Sequence, residues 1–290
     1  MRILLTGANG QVGFELERQL CLMGEVLAPR RHELDLADQG AVAAWLEAKR
    51  PELIVNAAAY TAVDKAESEP ALARRLNAEL PAQLAAYAAD QEVPLVHYSS
   101  DYVYPGNGDQ PWLERDPTAP LSVYGQTKLE GDQAIEASGC QHLIFRTSWV
   151  YSARGNNFMK TMLRLGRERE ALSVVADQIG APTPARLIAQ LTGLAMERQI
   201  PSGTYHLAPR DETSWHGFAC EIFRLALARG EALAIHPSNV AAIPTQDYPT
   251  PAQRPLNSRL SLGKLEAALG LELPDWQQQL QLTLQEFLAA

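Results

Sequence analysis

Cysteine is scarce in this chain. Among 290 residues there are three, Cys21, Cys140 and Cys220, odd in number and far apart. No CxxC pair occurs, so neither a disulfide framework nor a structural zinc site is expected, and a reducing cytoplasm suits this usage. Histidine is almost as sparse. The six residues form no HxxxH or HExxH spacing, so no metal centre is expected. Basic blocks are missing too: 25 Lys+Arg stand against 34 Asp+Glu, a formal charge of −9. That excludes a duplex-wide phosphate surface and nucleic acid as a partner, but leaves room for a local pocket holding one small phosphate. No stretch reaches the roughly 18 apolar residues of a membrane span, so no membrane partner is expected. The opening run Ile3-Leu4-Leu5 is too short for a signal peptide. Repeats and low-complexity segments are also lacking.

What is present is ordinary globular composition, 46% hydrophobic and 20% charged residues. At roughly 100–200 residues per domain, the length suits one large domain or two modest ones. Apolar runs alternate with helical spacing. Strands are expected at Ile3-Leu4-Leu5, Val26-Leu27-Ala28, Leu53-Ile54-Val55, 94–98 and 142–146. Val12, Leu16, Leu20 and Met23 predict a helix closed by Gly24 as C-cap. Further helices are expected over 41–49, 70–77, 81–90 and 124–137. This alternation predicts an α/β fold, a doubly wound parallel Rossmann sheet with a smaller C-terminal substrate-binding domain. Beyond Trp149 the pattern loosens. Thr183 is read as an N-cap with Pro184 at N1, and Ser214 as the cap of another helix. The segment 237–255 is rich in proline, the kind of irregular surface that often carries ligand contacts.

Directly after the first strand comes Gly7-x-x-Gly10-x-x-Gly13, enclosing Gln11 and Val12. Glycine permits a tight turn and lets backbone amides approach a pyrophosphate. The helix start that follows adds unpaired N–H groups and a favourable dipole. A strand before and a helix after are the context that gives a glycine triplet its meaning as a dinucleotide site. The second strand ends in Pro29-Arg30-Arg31 rather than in an acid. Arginine there favours a 2′-phosphate, hence NADPH, with NADH as the alternative if both arginines are merely solvated. Asp35 and Leu36 lie just beyond, placed to meet an adenine.

Tyr124-x-x-x-Lys128 opens the predicted 124–137 helix, and the i,i+4 spacing puts both side chains on one face. A free tyrosine ionises near ~10, and a lysine cation beside it is expected to lower that value. Ser99-Ser100-Asp101 closes the fourth strand, where a serine can hydrogen-bond a substrate carbonyl. His97 and His206 sit in apolar strands and read as satisfied core residues. Trp149 is either a ligand contact or core packing. Arg254 is either a clamp for a nucleotide diphosphate or a solvated loop charge.

Gly7-x-x-Gly10-x-x-Gly13, Asn56-Ala57-Ala58-Ala59, Ser99-Ser100-Asp101-Tyr102-Val103-Tyr104 and Tyr124-x-x-x-Lys128 together resemble the extended short-chain dehydrogenase/reductase family. Further blocks, 59–67, 145–151, 155–158 and 248–255, are similar to its dTDP-4-dehydrorhamnose reductase branch over nearly the whole chain. The resemblance implies NADPH-dependent reduction of the 4-keto group of a dTDP-sugar, dTDP-4-dehydro-β-L-rhamnose. It implies Gly7, Gly10, Gln11, Val12 and Gly13 at the cofactor pyrophosphate, and Arg30 or Arg31 at the adenosine end. Asp35 and Leu36 would flank the adenine, with Ala59, Tyr60, Thr61 and Tyr98 along the cofactor path. Ser100, Asp101 and Trp149 would touch the sugar. Tyr124 would be the proton donor, and Lys128 would bond the nicotinamide ribose and tune Tyr124. Many relatives carry threonine where Ser100 stands, and serine keeps the hydroxyl.

Some relatives bind magnesium between two subunits through acidic residues on the first helix and on the helix after Thr183. Glu15 is present here, but the second helix offers Arg186 and Gln190 and no acid before Glu197. No metal site and no metal-bridged dimer are therefore expected, while a homodimer of another kind is left open. The domain division expected is a cofactor domain over 1–150, joined by 182–210, and a substrate domain over 151–181 and 211–290. The alternatives are another nucleotide-sugar 4-ketoreductase, epimerase or dehydratase. From a different class comes a non-catalytic chain resembling the regulatory subunit of methionine adenosyltransferase. A dehydratase wants a pair of acid–base carboxylates, and Ser99-Ser100-Asp101 supplies one.

Overall fold

Strand and helix alternate through the first half of the protein, whose residues 1–289 are described by a computed structural model. β1 (Arg2–Thr6) leads into α1 (Gln11–Leu20), β2 (Glu25–Leu27), α2 (Gln39–Lys49) and β3 (Leu53–Asn56). α3 (Val63–Ala66) and α4 (Pro70–Arg74) follow, and a π turn over Arg75–Glu79 carries α4 into α5 (Leu80–Asp90). β4 (Leu95–Ser100), α6 (Val123–Ser138) and β5 (His142–Thr147) complete this half. The second half is less regular. β6 (Val150–Tyr151), α7 (Phe158–Glu168), β7 (Leu172–Val175), β8 (Ile179–Gly180) and β9 (Thr183–Pro184) precede α8 (Ala185–Glu197). Then come β10 (Gly203–His206), β11 (Thr213–Ser214), α9 (Trp215–Ala228), β12 (Val240–Ile243), α10 (Gly263–Leu269) and α11 (Trp276–Leu288).

Six strands form one parallel sheet in the order β10-β5-β4-β3-β1-β2. Such a sheet needs cover on both faces, and β3 and β4 are buried at every residue. The period-two alternation of side chains divides them between two cores. Leu5, Val55 and Val96 join Leu16 of α1 and Leu187 and Leu191 of α8 on one face. Leu4, Ile54 and Leu95 join Leu46 of α2, Leu84 of α5 and Ile135 of α6 on the other. A third cluster, with Met162, Phe218, Phe223 and Leu280, binds α7, α9 and α11 together. The expected doubly wound fold is thus present.

The chain winds outward from β1 to β2, then crosses back to place β3 on the other side of β1. Connections diverge at such a point and leave a crevice beyond the carboxyl ends of the strands. Thr6 and Asn56 face each other in register there.

Three local expectations need correction. α1 ends at Leu20 with Cys21 as its cap, not at Gly24. A side chain at Gly24 would bring its Cβ to 2.1 Å from the Met1 carbonyl oxygen, so glycine there answers a close passage of the chain start. The two helices expected over 70–77 and 81–90 are one continuous helical run. The π turn ends at Glu79, just before Pro81, and its shifted bonding, with the Leu80 N–H on the Arg75 carbonyl, carries the run past a residue that has no N–H. Finally, Pro184 rather than Thr183 is the N-cap of α8. Pro184 keeps an extended backbone, and Thr183 pairs with Val150 and gives its hydroxyl hydrogen to the Ala181 carbonyl.

Candidate active site

The crevice is a cleft of about 810 Å³. Its floor is the glycine turn. Gly7 has φ +70°, and a Cβ on it would lie 2.7 Å from the Ala57 backbone. One on Gly13 would lie 2.1 Å from the Gly7 carbonyl oxygen. No side chain caps the N-terminus of α1 and no acid occupies its first turn. The backbone amides therefore stay free for an anion, which is what a pyrophosphate requires. Gly10, Gln11 and Val12 all line the cleft. The Gln11 side chain is drawn toward the second half of the chain, where its Oε1 accepts from Ser152 Oγ (3.1 Å) and Asn157 Nδ2 (2.8 Å).

The two arginines after β2 part company. Arg31 lines the cleft together with Asp35 and Leu36, and its side chain, 83% exposed, brings the guanidinium to 4.0 Å from Asp35. Arg30 lies over a neighbouring depression and donates to the Asn9 side chain. Ala59, Tyr60 and Thr61 form another wall. Asn77, inside the π turn, holds that wall with both ends of its amide. Oδ1 accepts from the Tyr60 N–H (2.8 Å), and Nδ2 donates to the Tyr60 carbonyl (3.1 Å). Nothing in the sequence marks Asn77, because its partner is 17 residues away on a loop.

Ser100, at the end of β4, and Tyr124, at the start of α6, meet in the same cleft. Ser122 caps α6 by accepting the Gly125 N–H (3.2 Å), which fixes the first turn. Tyr124 is half-buried and lines the cleft. Desolvation raises the phenol pKa, opposed by the Ser100 hydroxyl. The expectation that Lys128 lowers it is not met. Lys128, only 1% exposed, gives its hydrogens to the Tyr98 carbonyl (2.6 Å) and faces His97 Nε2 (3.2 Å). Burial brings its own pKa down to about 8, with Asp132 pulling the other way. Asp101 is pushed up to about 6 by burial. Its Oδ1 accepts from Ser100 Oγ (3.0 Å), while its Oδ2 is buried with no partner. Thr147 Oγ1 is likewise buried without a partner, and Thr147 lines the cleft.

Tyr98 borders the cleft, but its hydroxyl turns away to Thr192 Oγ1 of α8 (2.8 Å). Trp149 borders it as well, stacked on Trp215. Arg254 reaches in from the proline-rich segment and is no free surface charge. It donates to Asp64 Oδ2 (2.8 Å) and to the Tyr102 hydroxyl (3.4 Å). Trp215 and Asp64, like Asn77, are site residues that the sequence alone did not single out.

The site so described has counterparts. The family model of the RmlD substrate binding domain matches residues 1–289. A dTDP-4-dehydrorhamnose reductase of Shigella flexneri is 50% identical over 285 residues, covering 96% of this chain and 95% of the relative. The chain belongs to the dTDP-4-dehydrorhamnose reductase family. A solved family structure from Clostridium acetobutylicum superposes with a TM-score of 0.93 at 37% identity, covering 99% of this chain and 100% of that one. Another, from Bacillus anthracis in complex with NADP, gives 0.90 at 34% identity, covering 98% and 99%. In this family member Arg186 joins three helices, bonding Glu15 of α1 (3.4 Å) and Glu286 of α11 (2.8 Å). Among the described residues no group of three or more His, Cys, Asp or Glu could hold a metal, and no helix is long and apolar enough to cross a membrane.

Proposed function

We propose that this chain reduces the 4-keto group of dTDP-4-dehydro-β-L-rhamnose, using NADPH, to give dTDP-L-rhamnose. One observation carries the reading: the Ser100 and Tyr124 hydroxyls share a cleft with an uncapped glycine turn, in a chain of this family.

The residues fit the cofactor. Gly10, Gln11 and Val12, with the free amides of α1, would hold the pyrophosphate. Arg31 would meet the 2′-phosphate, with Arg30, engaged by Asn9, in the lesser role, and Asp35 and Leu36 would meet the adenine. Ala59, Tyr60 and Thr61 would line the path between. Bound NADPH supplies the hydride. Tyr124 keeps its proton at neutral pH, as an ordinary phenol does, and desolvation holds it more firmly; the protonated phenol is the form that can donate. It would protonate O4 as that oxygen gains charge. Ser100 Oγ would donate a hydrogen bond to the same oxygen, a preset dipole aimed at developing charge. Lys128, held by Tyr98 and His97, would offer its remaining hydrogen to the nicotinamide ribose. Asp101 and Trp149 would contact the sugar and Arg254 the diphosphate.

The same reading makes residues 1–150 and 182–210 the cofactor lobe and the rest the substrate lobe. β10 in the main sheet and the separate α7–α9–α11 core support that division. Three free cysteines fit a reducing cytoplasm. The test is direct. Purified protein with the 4-ketosugar should consume NADPH, followed by its absorbance, and yield dTDP-L-rhamnose. Absence of turnover with this sugar, alongside turnover with another nucleotide 4-ketosugar, would reassign the substrate.

A further inference from the structure

Four buried polar side chains run in line from the glycine turn to Lys128. Thr6 Oγ1 donates to Asn56 Oδ1 (2.6 Å), and Asn56 Nδ2 lies 3.0 Å from His97 Nδ1. His97 Nε2 lies 3.2 Å from Lys128 Nζ. All four residues are 1% exposed or less, so water does not serve these groups. Thr6 Oγ1 also accepts the Ala58 N–H (3.2 Å), which ties the far end to the cleft wall. Both His97 nitrogens are committed, one toward the lysine and one to a residue that sets the ring.

The chemistry of the ring gives this line two consistent polarities. With Asn56 Nδ2 donating to Nδ1, the ring hydrogen sits on Nε2 and points at Lys128, which must then be an uncharged amine that accepts. With the Asn56 amide turned over, its oxygen takes the hydrogen of Nδ1 and its nitrogen donates to Thr6 Oγ1. Nε2 is then an acceptor for the Lys128 ammonium. Lys128 donates to the Tyr98 carbonyl either way. The ionisable groups acting on Lys128 are His97 on β4 and, on its own helix, Asp132. Arg146 on β5 stands behind Asp132, Nε to Oδ2 at 3.1 Å. A lysine ionising at about 8 visits both states near neutral pH.

We propose that His97 is a positioning residue that holds Lys128 Nζ at the cofactor ribose in both of its protonation states, its tautomer set by the Asn56 amide. This rests on the reductase reading, in which the placement of Lys128 matters. A His97→Gln side chain can keep an amide oxygen near the Nε2 position, whereas His97→Asn keeps only the contact near Nδ1. His97→Leu keeps neither. Two readouts decide: the pH profile of kcat, and the Lys128 titration in the free protein by NMR of lysine labelled at Cε. In Asn and Leu variants kcat should fall about ten- to a hundredfold, the effect of losing one charge-assisted hydrogen bond. The Lys128 midpoint should drop by about one unit, because the charge-assisted bond lost from the ammonium is stronger than the bond lost from the neutral amine. KM for NADPH should stay within about twofold. The Gln variant should remain near wild type in both readouts. If the Leu protein does not fold, the Asn–Gln comparison still decides, and equal behaviour of those two in both readouts overturns the proposal. Should the wild-type protein fail to reduce the ketosugar, the reductase reading falls, while the Lys128 midpoints still judge His97.

Discussion

Trp149 lies face to face with Trp215, ring centroids 3.9 Å apart and planes 14° from parallel. Trp149 adopts φ +48°, a region that bulky residues avoid, so its neighbours must hold it there. Trp215 is itself fixed by an Nε1–H bond to Gln178 Oε1 (3.0 Å). We expect Trp215→Ala to release Trp149 and raise KM for the sugar nucleotide about three- to tenfold, in line with the loss of one aromatic stack. NADPH affinity, measured by fluorescence titration, should not move. A parallel loss of NADPH affinity would mean that the pair serves the fold rather than the sugar.

Tyr124→Phe keeps the ring and its edge-on contact with Tyr102, at 5.4 Å between centroids. It removes the proton that would go to O4. Turnover should fall by ~10²–10⁴, the usual share of general acid catalysis, with NADPH binding nearly intact. Wild-type turnover in this variant would take Tyr124 out of the chemistry.

Cofactor preference should rest unequally on the two arginines. Arg31 lines the cleft, while Arg30 is engaged with Asn9. NADPH should bind more tightly than NADH, and the gap should narrow as salt rises, because the extra attraction is electrostatic and exposed. Arg31→Ala should cut the ratio of the two affinities about tenfold, more than Arg30→Ala does. Equal affinities for the two cofactors at low salt would make both arginines bystanders.

Asp101 gives a stability signature. Burial raises its carboxyl to about 6 from the 3.8 of an ordinary aspartate. Between those values the native state binds more protons than the unfolded chain, so stability falls as pH rises through this window. Asp101→Asn should flatten that slope and gain ~1–3 kcal/mol above pH 6, because a neutral amide carries no desolvated charge. Thermal melts from about pH 4 to 7 measure both. An unchanged slope would show that another group titrates there.

Arg186 occupies the space between Glu15 and Glu286. A guanidinium bonded to both carboxylates repels a divalent cation, which prefers hard oxygen ligands. Activity should survive exhaustive EDTA, and the sedimenting mass should not depend on magnesium at fixed ionic strength. A magnesium-dependent rise in mass that Glu15→Gln abolishes would reverse this.

The parts legible in the sequence were those written in short stretches. Gly7, Gly10 and Gly13 sit within one turn, and Tyr124 and Lys128 within one helical turn, so spacing alone placed them. The six-stranded sheet was visible as an alternation of apolar runs. Other features depended on chain segments that meet only after folding. Arg254 finds Asp64 across 190 residues, and His97 finds Lys128 across 31. The lysine's expected hold on Tyr124 failed for the same reason: its partners are on β4, not on its own helix. The start of α8 was misplaced because Thr183-Pro184 satisfies a capping rule and a short strand equally well, and only pairing with Val150 separates them.

β10 joins the sheet beside β5, although 55 residues, Ser148 to Ser202, separate the two strands. On a ribosome this spacing is a delay. At ~5–20 residues per second, β5 waits some 3–11 s before its outer neighbour emerges. During that interval Leu143, Ile144 and Phe145 lie on an open edge, a ready template for another nascent copy. The order in which the strands are made therefore opens a window for aggregation that the finished chain closes: a chain interrupted between the two strands should pellet, and the full-length chain should stay in the supernatant.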